Sequence, residues 1–136
     1  GDEWVKRFDD TVRFRLKFLD YVPLIHISAM TGDRTSRVLE TIDRVAAARS
    51  ARVRTPELNR FVERVTSAPP PASPGRKHVR VLYAAQTGTA PPTFVFFTNV
   101  ATTFHFSYER FLINQIREHF GFVGTPIRIQ VRRRAK

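Results

Sequence analysis

Pro91-Pro92-Thr93-Phe94-Val95-Phe96-Phe97-Thr98-Asn99 is the stretch on which the fold of this chain turns. Its four central residues are all apolar, so neither face is polar, and the pattern predicts a strand covered on both sides. Upstream, residues 78–85 alternate, with Val79, Val81 and Tyr83 assigned to one face. Downstream, Ser107 stands where a helix cap is expected, ahead of Phe111, Leu112, Ile116 and Phe120 as the inward positions, and Gly121 follows as the stop. Residues 127–134 alternate again. Ile127, Ile129 and Val131 face one way, and Arg128, Gln130, Arg132 and Arg134 face the other. Further upstream, Thr55-Pro56-Glu57 reads as a helix start, with Thr55 as cap, Pro56 in the first turn and Glu57 at the positive end. Leu58, Phe61, Val62 and Val65 form the stripe that this helix buries. From Thr55 the order is helix, strand, strand, helix, strand. It predicts an α+β domain: a three-stranded sheet with helices on one face. Pro69-Pro70-Pro71-Ala72-Ser73-Pro74-Gly75 cannot continue a helix and is assigned as a connector.

The first fifty residues have a different pattern. Val5, Phe8, Val12, Leu16 and Leu19 recur at helical spacing, so residues 3–20 are expected to form an amphipathic helix. Pro23 stops it, and residues 24–27 read as a short buried strand. Ser28-Ala29-Met30-Thr31-Gly32 then turns the chain into a second helix over 35–49, carried by Val38, Leu39, Ile42, Val45 and Ala46. The result is a helix–strand–helix unit, and the loop after such a strand is where α/β sheets bind ligands. The boundary between the two parts falls at residues 50–55.

Composition narrows the function classes. The 136 residues include 12 Phe and are 42% hydrophobic, which is enough for a packed core. There are 23 basic residues against 12 acidic, a formal net charge of +11, and this points first to nucleic acid. A solvated basic surface is the plainer alternative. The absence of cysteine excludes disulfides and thiolate metal sites and fits a cytoplasmic setting. No apolar run approaches the ~18 residues of a membrane span. The chain opens Gly1-Asp2-Glu3-Trp4 without a Met, as expected for an excised piece.

Ser28-Ala29-Met30-Thr31-Gly32 resembles the last guanine-recognition loop of translation-factor-type GTPases. The C-terminal motifs carry a more specific likeness. Residues 91–99, then Ser107-Tyr108-Glu109-Arg110-Phe111-Leu112, then the run from Ile116 to Ile129 with its Gly121-Phe122-Val123-Gly124-Thr125-Pro126 centre, resemble the C-terminal KH-like domain of the Der (EngA) family. Phe18-Leu19-Asp20-Tyr21-Val22-Pro23 is similar to the close of that family's second GTPase domain. Thr55-Pro56-Glu57-Leu58-Asn59 looks like the entry to the KH-like domain, and Tyr83-Ala84-Ala85-Gln86-Thr87 like its first strand. The family consists of bacterial GTPases with two tandem GTPase domains that act in assembly of the large ribosomal subunit. The resemblance implies that residues 1–50 are the tail of the second GTPase domain and residues 55–136 the KH-like domain. It implies GTP and Mg as cofactors of the full-length protein, and none for this chain. It also implies large-subunit or ribosomal RNA and the GTPase domains as partners, with no membrane. Ser28, Ala29 and Met30 would be guanine contacts in the intact protein, with the Ala29 N–H as donor.

Two departures bear on chemistry. Gly-x-x-x-x-Gly-Lys-Ser/Thr and Asn-Lys-x-Asp occur nowhere in the chain, so hydrolysis is not expected of it. RNA-binding KH domains clamp the backbone with a Gly-x-x-Gly loop. The corresponding residues 100–106, Val-Ala-Thr-Thr-Phe-His-Phe, contain no glycine. The expected RNA contacts are instead basic: Arg76 and Arg80, sharing a strand face with His78, and Arg128, Arg132 and Arg134, extended by Arg133 and Lys136. A charge match to an acidic GTPase face is the competing reading, and the apolar 94–97 run leaves room for protein docking. His26, His78, His105 and His119 have no ligand spacing, and no nucleophile–base set stands out, so neither metal nor catalytic residues are assigned.

Overall fold

The computed structural model describes residues 1–68 and 78–135; Arg76, Lys136 and the 69–75 connector lie outside the described residues. The sheet contains β1 (Val81–Gly88), β2 (Thr93–Thr98) and β3 (Arg128–Arg133), in the order β1-β2-β3. β1 and β2 form an antiparallel hairpin, whereas β2 and β3 run parallel. Parallel neighbours need a crossover, and α4 (Phe106–Phe120) supplies it. α3 (Thr55–Val65) precedes β1. Leu58, Phe61 and Val62 of α3 meet Tyr108, Leu112 and Ile116 of α4 in one core with Ala84, Phe94 and Phe96. Both helices therefore lie on one face, and the expected α+β architecture is present. β2 is the middle strand, which explains its run: Phe94, Val95 and Phe96 have no exposed surface at all.

Local details depart from expectation for identifiable reasons. The first strand starts at Val81, and the ladder has a register shift between Val81 and Tyr83. An extra residue in a strand inverts the alternation beyond it. Val79 and Val81 thus pack inward while Tyr83 turns outward, and Ala84 takes the core position. The α3 cap position is Arg54 rather than Thr55, so Thr55 and Pro56 sit in the first turn. At α4 the cap is His105, whose Nδ1 accepts the Ser107 N–H at 3.2 Å and lies 2.7 Å from the Ser107 hydroxyl. Phe111 faces solvent. Gly121 ends α4 with φ +97°, as its position predicts.

Asn59 closes the outer edge of β1. Its Oδ1 accepts the Ala84 N–H at 2.9 Å and its Nδ2 donates to the Ala84 carbonyl at 3.1 Å. Two residues along, the side chain of Gln86 reaches out from β1 to the segment before α3: its Oε1 accepts the Val53 N–H at 2.7 Å and its Nε2 donates to Ala51 O at 2.9 Å.

The N-terminal part consists of α1 (Asp2–Arg15), a 3-10 turn (Lys17–Leu19) and α2 (Ser36–Ser50). The expected buried stripe is not buried. Neither α1 nor α2 has a buried residue, and Trp4, Phe8, Phe14 and Phe18 stand open. Residues 24–27, expected as a buried strand, join no sheet. A strand is held by paired N–H and C=O groups, and no partner strand flanks this segment among the described residues. What this part does possess is a junction with the C-terminal domain. Arg117 Nη1 donates to Phe122 O at 2.7 Å and Thr125 O at 2.8 Å, and the guanidinium lies 4.4 Å above the Tyr21 ring. Gly124 donates to Tyr21 O at 3.3 Å. At Gly124, φ is +74°, and a Cβ there would stand 2.5 Å from Val45 Cγ2. The hairpin turn joins in: Ala90 N–H donates to Arg49 O at 2.8 Å.

Candidate nucleic-acid interface

The register sorts the sheet residues by face. Phe94, Phe96 and Ala84 point to the helices, so their neighbours Val95, Phe97 and Tyr83 point away. β3 pairs Thr93 with Arg128, Val95 with Gln130 and Phe97 with Arg132. Cα partners share a face. The helix-free face thus presents Arg128, Gln130 and Arg132, all exposed, beside the pair Tyr83 and Phe97. Those two rings stack with centroids 4.5 Å apart at 18°. Tyr83 is 39% exposed. Among the described residues no carboxylate is within ion-pair distance of either arginine, so their charge is turned to solvent.

The other expected contacts disperse. Arg80 is exposed just ahead of β1, where its N–H donates to Asn99 Oδ1 at 2.8 Å and its carbonyl accepts the Asn99 N–H. It borders a groove of ≈ 670 Å³ between α3 and β1, lined also by Arg60 and Tyr83. Arg134 extends past β3 with its N–H on Thr98 O at 2.8 Å. Arg133 pairs with the buried Thr98 and so belongs to the helix side of the sheet, off the Arg128 and Arg132 face. Arg76 lies outside the described residues. The stacked pair is what sequence reasoning missed. The alternation sets Tyr83 on the same face as Val79 and Val81, because a one-residue bulge leaves no mark in hydropathy.

At the other end of the molecule, Ser28, Ala29 and Met30 form a tight turn. Gly32 N–H donates to Ser28 O at 2.8 Å, Ser28 N–H to Asp33 O at 3.1 Å, and Thr31 N–H to the Ser28 hydroxyl at 3.3 Å. Met30 is 96% exposed. The Ala29 N–H has no partner among the described residues, which suits a donor to a planar base edge. The phosphates and Mg of a nucleotide have no holder in the chain, since the phosphate-loop motif is absent. The residues present therefore do not fit a complete nucleotide site.

Three histidines have structural partners. His26 Nε2 lies 2.8 Å from Asp9 Oδ1, a contact in which neither atom has another polar partner among the described residues. His105 caps α4, and His119 stacks on Phe61 and meets Arg64 at 3.2 Å. Burial lowers the pKa of Arg117 from its usual value, while Tyr21 and Asp20 push it back up. Its guanidinium stays charged in any case. Residues 100–106, which lead from β2 into α4, offer no glycine clamp; Phe104 packs against Phe96 and Tyr108 instead.

Residues 52–132 match the family described as "KH-domain-like of EngA bacterial GTPase enzymes, C-terminal". Over 98% of its length the chain is 45% identical to the GTPase Der of Desulforamulus reducens and 48% identical to that of Desulfitobacterium hafniense. It is 50% identical over 93% to the GTPase Der of Moorella thermoacetica. The chain spans about 30% of the length of these curated relatives.

Proposed function

The chain belongs to the Der (EngA) family through its C-terminal KH-like domain, and from that premise we propose that it serves as an accessory module contacting RNA of the large ribosomal subunit during its assembly. Residues 55–136 are the RNA-facing KH-like domain in this reading. Residues 1–50 are the tail of a second GTPase domain whose exposed Trp4, Phe8, Phe14 and Phe18 dock on the rest of the GTPase. GTP and Mg belong to that larger protein, which acts in the cytoplasm. No helix among the described residues is long and apolar enough to cross a membrane.

One observation carries the RNA reading: the parallel register that sets Arg128 and Arg132, both without carboxylate partners among the described residues, on the helix-free face of the sheet. Lacking a Gly-x-x-Gly clamp, such a face binds mainly through charge, so affinity is sequence-tolerant and steeply salt-dependent. If about four phosphates are covered, log affinity falls with log salt at a slope of roughly −3. Filter binding of the chain to ribosomal RNA at several salt concentrations measures it. Replacing Arg128 and Arg132 by Glu should bring the slope to roughly −1.5 or shallower. Ile129 and Val131 still hold β3, so circular dichroism should be unchanged. An unaltered slope would move the function to the second reading, a protein-docking module whose charge matches a GTPase domain. The open apolar side chains of α1 favour that reading for the N-terminal part.

A further inference from the structure

The paired rings of Tyr83 and Phe97 stand on the same face as the two arginines, and the register accounts for this in full. Tyr83 is the Cα partner of Phe97, and Phe97 is the Cα partner of Arg132. A single row across the sheet therefore reads tyrosine, phenylalanine, arginine. We propose that this row is a base-stacking platform for unpaired ribonucleotides, so that the domain takes single-stranded RNA on its sheet face; the proposal rests on the RNA reading above and deepens it.

Three features point to an unpaired base as the occupant. First, the pair is an ordered stack with one member open to solvent: the rings lie face to face, 4.5 Å apart and 18° from parallel, and Tyr83 is 39% exposed, so a base would extend the stack rather than begin one. Such a surface satisfies another π-face far better than it satisfies water. Second, the charge around the row is mainly positive. Arg132 ends the row and Arg128 lies further along β3, Arg80 and Arg60 outnumber the one acid, Glu63, in the groove that Tyr83 borders, and none of the sheet residues sharing the face is acidic. An apolar ring pair docking on protein has no need of arginines around it, whereas a stacked nucleotide brings a phosphate with every base. Third, an A-form duplex keeps its bases stacked inside and offers only backbone and groove edges. A ring pair aligned in this way has a partner only where a base is free. The bulge between Val81 and Tyr83 is the device that creates the platform, because without it Tyr83 would point to the helices.

The test compares a short oligouridylate with a ribose-phosphate strand of the same length lacking bases. Both are titrated into the 136-residue chain and followed by fluorescence anisotropy at one salt concentration. The parent should bind the base-bearing strand roughly 5- to 150-fold more tightly, the range for one stacked base. Tyr83→Leu, which keeps an apolar side chain and removes the π-face, should lower that affinity to the level of the abasic strand. Tyr83→Phe should preserve it. The Arg128→Glu and Arg132→Glu double variant should weaken both strands by similar factors. Equal binding of the two strands by the parent overturns the platform while leaving the RNA reading standing. So does an equal loss on both strands with Tyr83→Leu. Failure of both strands to bind at low salt removes both. If Tyr83→Leu does not fold by circular dichroism, the parent's ratio between the two strands decides alone.

Discussion

Gly124 is the position at which one methyl group should reveal how firmly the two parts of the chain are joined. Its φ of +74° costs an alanine roughly 1–2 kcal/mol. The second cost is steric. A Cβ there would stand 2.5 Å from Val45 Cγ2, and 3.2 Å from both Val45 Cγ1 and Pro23 Cδ. Carbon atoms rest at about 3.5–4.0 Å, so the closest approach is short by about 1 Å. Valine is stiff at χ1 and cannot swing its methyls away freely; overpacking of this kind costs about 1–3 kcal/mol. Gly124→Ala should therefore destabilise the chain by about 3 kcal/mol in urea titrations. The two costs separate in a double-mutant cycle. In a Val45→Ala background both valine contacts disappear, while the backbone cost and the milder 3.2 Å approach to Pro23 Cδ remain, so the same substitution should cost only about 1–2 kcal/mol, a coupling of about 1–2 kcal/mol. Hydrogen exchange at the Gly124 amide, which donates to Tyr21 O, should accelerate in the single variant and recover in the double. An equal cost in both backgrounds would mean that α2 does not press on this loop, and the junction as described would be wrong.

Asn59→Leu should cost about 2 kcal/mol, because it strands the Ala84 N–H and C=O at a covered edge; a change below about 0.5 kcal/mol in urea unfolding would show that water replaces the amide. Tyr108→Phe should stabilise by about 1 kcal/mol, since the buried hydroxyl has no partner among the described residues. Burial also raises the Tyr108 pKa above 10.0. The folded phenol holds its proton longer than the unfolded one, so stability is lost as pH climbs past 10, and the Phe variant should lack that component in paired pH titrations. Arg117→Lys should destabilise by about 2 kcal/mol, because a single ammonium replaces the planar guanidinium that bonds Phe122 O and Thr125 O while covering Tyr21. Calorimetry with GTP or GDP should register no micromolar binding, and any such signal would show that the 28–30 turn holds a nucleotide without a phosphate loop.

The sheet and its two helices were legible because each element announces itself locally. Residues 93–98 are apolar without a break, β3 alternates cleanly, and Gly121 marks the end of α4. Features that depend on a distant partner were not legible. The inversion at Tyr83 arises from ladder geometry rather than from hydropathy, so the sequence leaves Tyr83 on one face with Val79 and Val81. The α4 cap is a local miss: it is His105, whose imidazole Nδ1 accepts the Ser107 N–H, and histidine is not among the usual capping side chains. Residues 24–27 have the composition of a buried strand, yet burial needs a neighbouring strand, and none is present among the described residues. Of the arginines assigned to RNA, Arg128 and Arg132 came together because alternation along one strand is reliable. Arg133 left the group for the same reason, being one residue out of phase.

The Asn59 amide has a bearing on how copies of this domain behave in a crowd. Its carboxamide imitates a peptide unit laid alongside β1, occupying the hydrogen-bonding sites that a strand from another molecule would need. A three-stranded sheet has two margins from which a fibril could grow, and this one is sealed by a helix side chain. The opposite margin is β3, where Arg128, Arg132, Arg133 and Arg134 crowd into seven residues. A second copy approaching there meets like charge before any backbone can pair. For a domain carrying three consecutive buried apolar residues in its central strand, both margins thus oppose edge-to-edge pairing, by a plug at Ala84 on one side and by repulsion on the other.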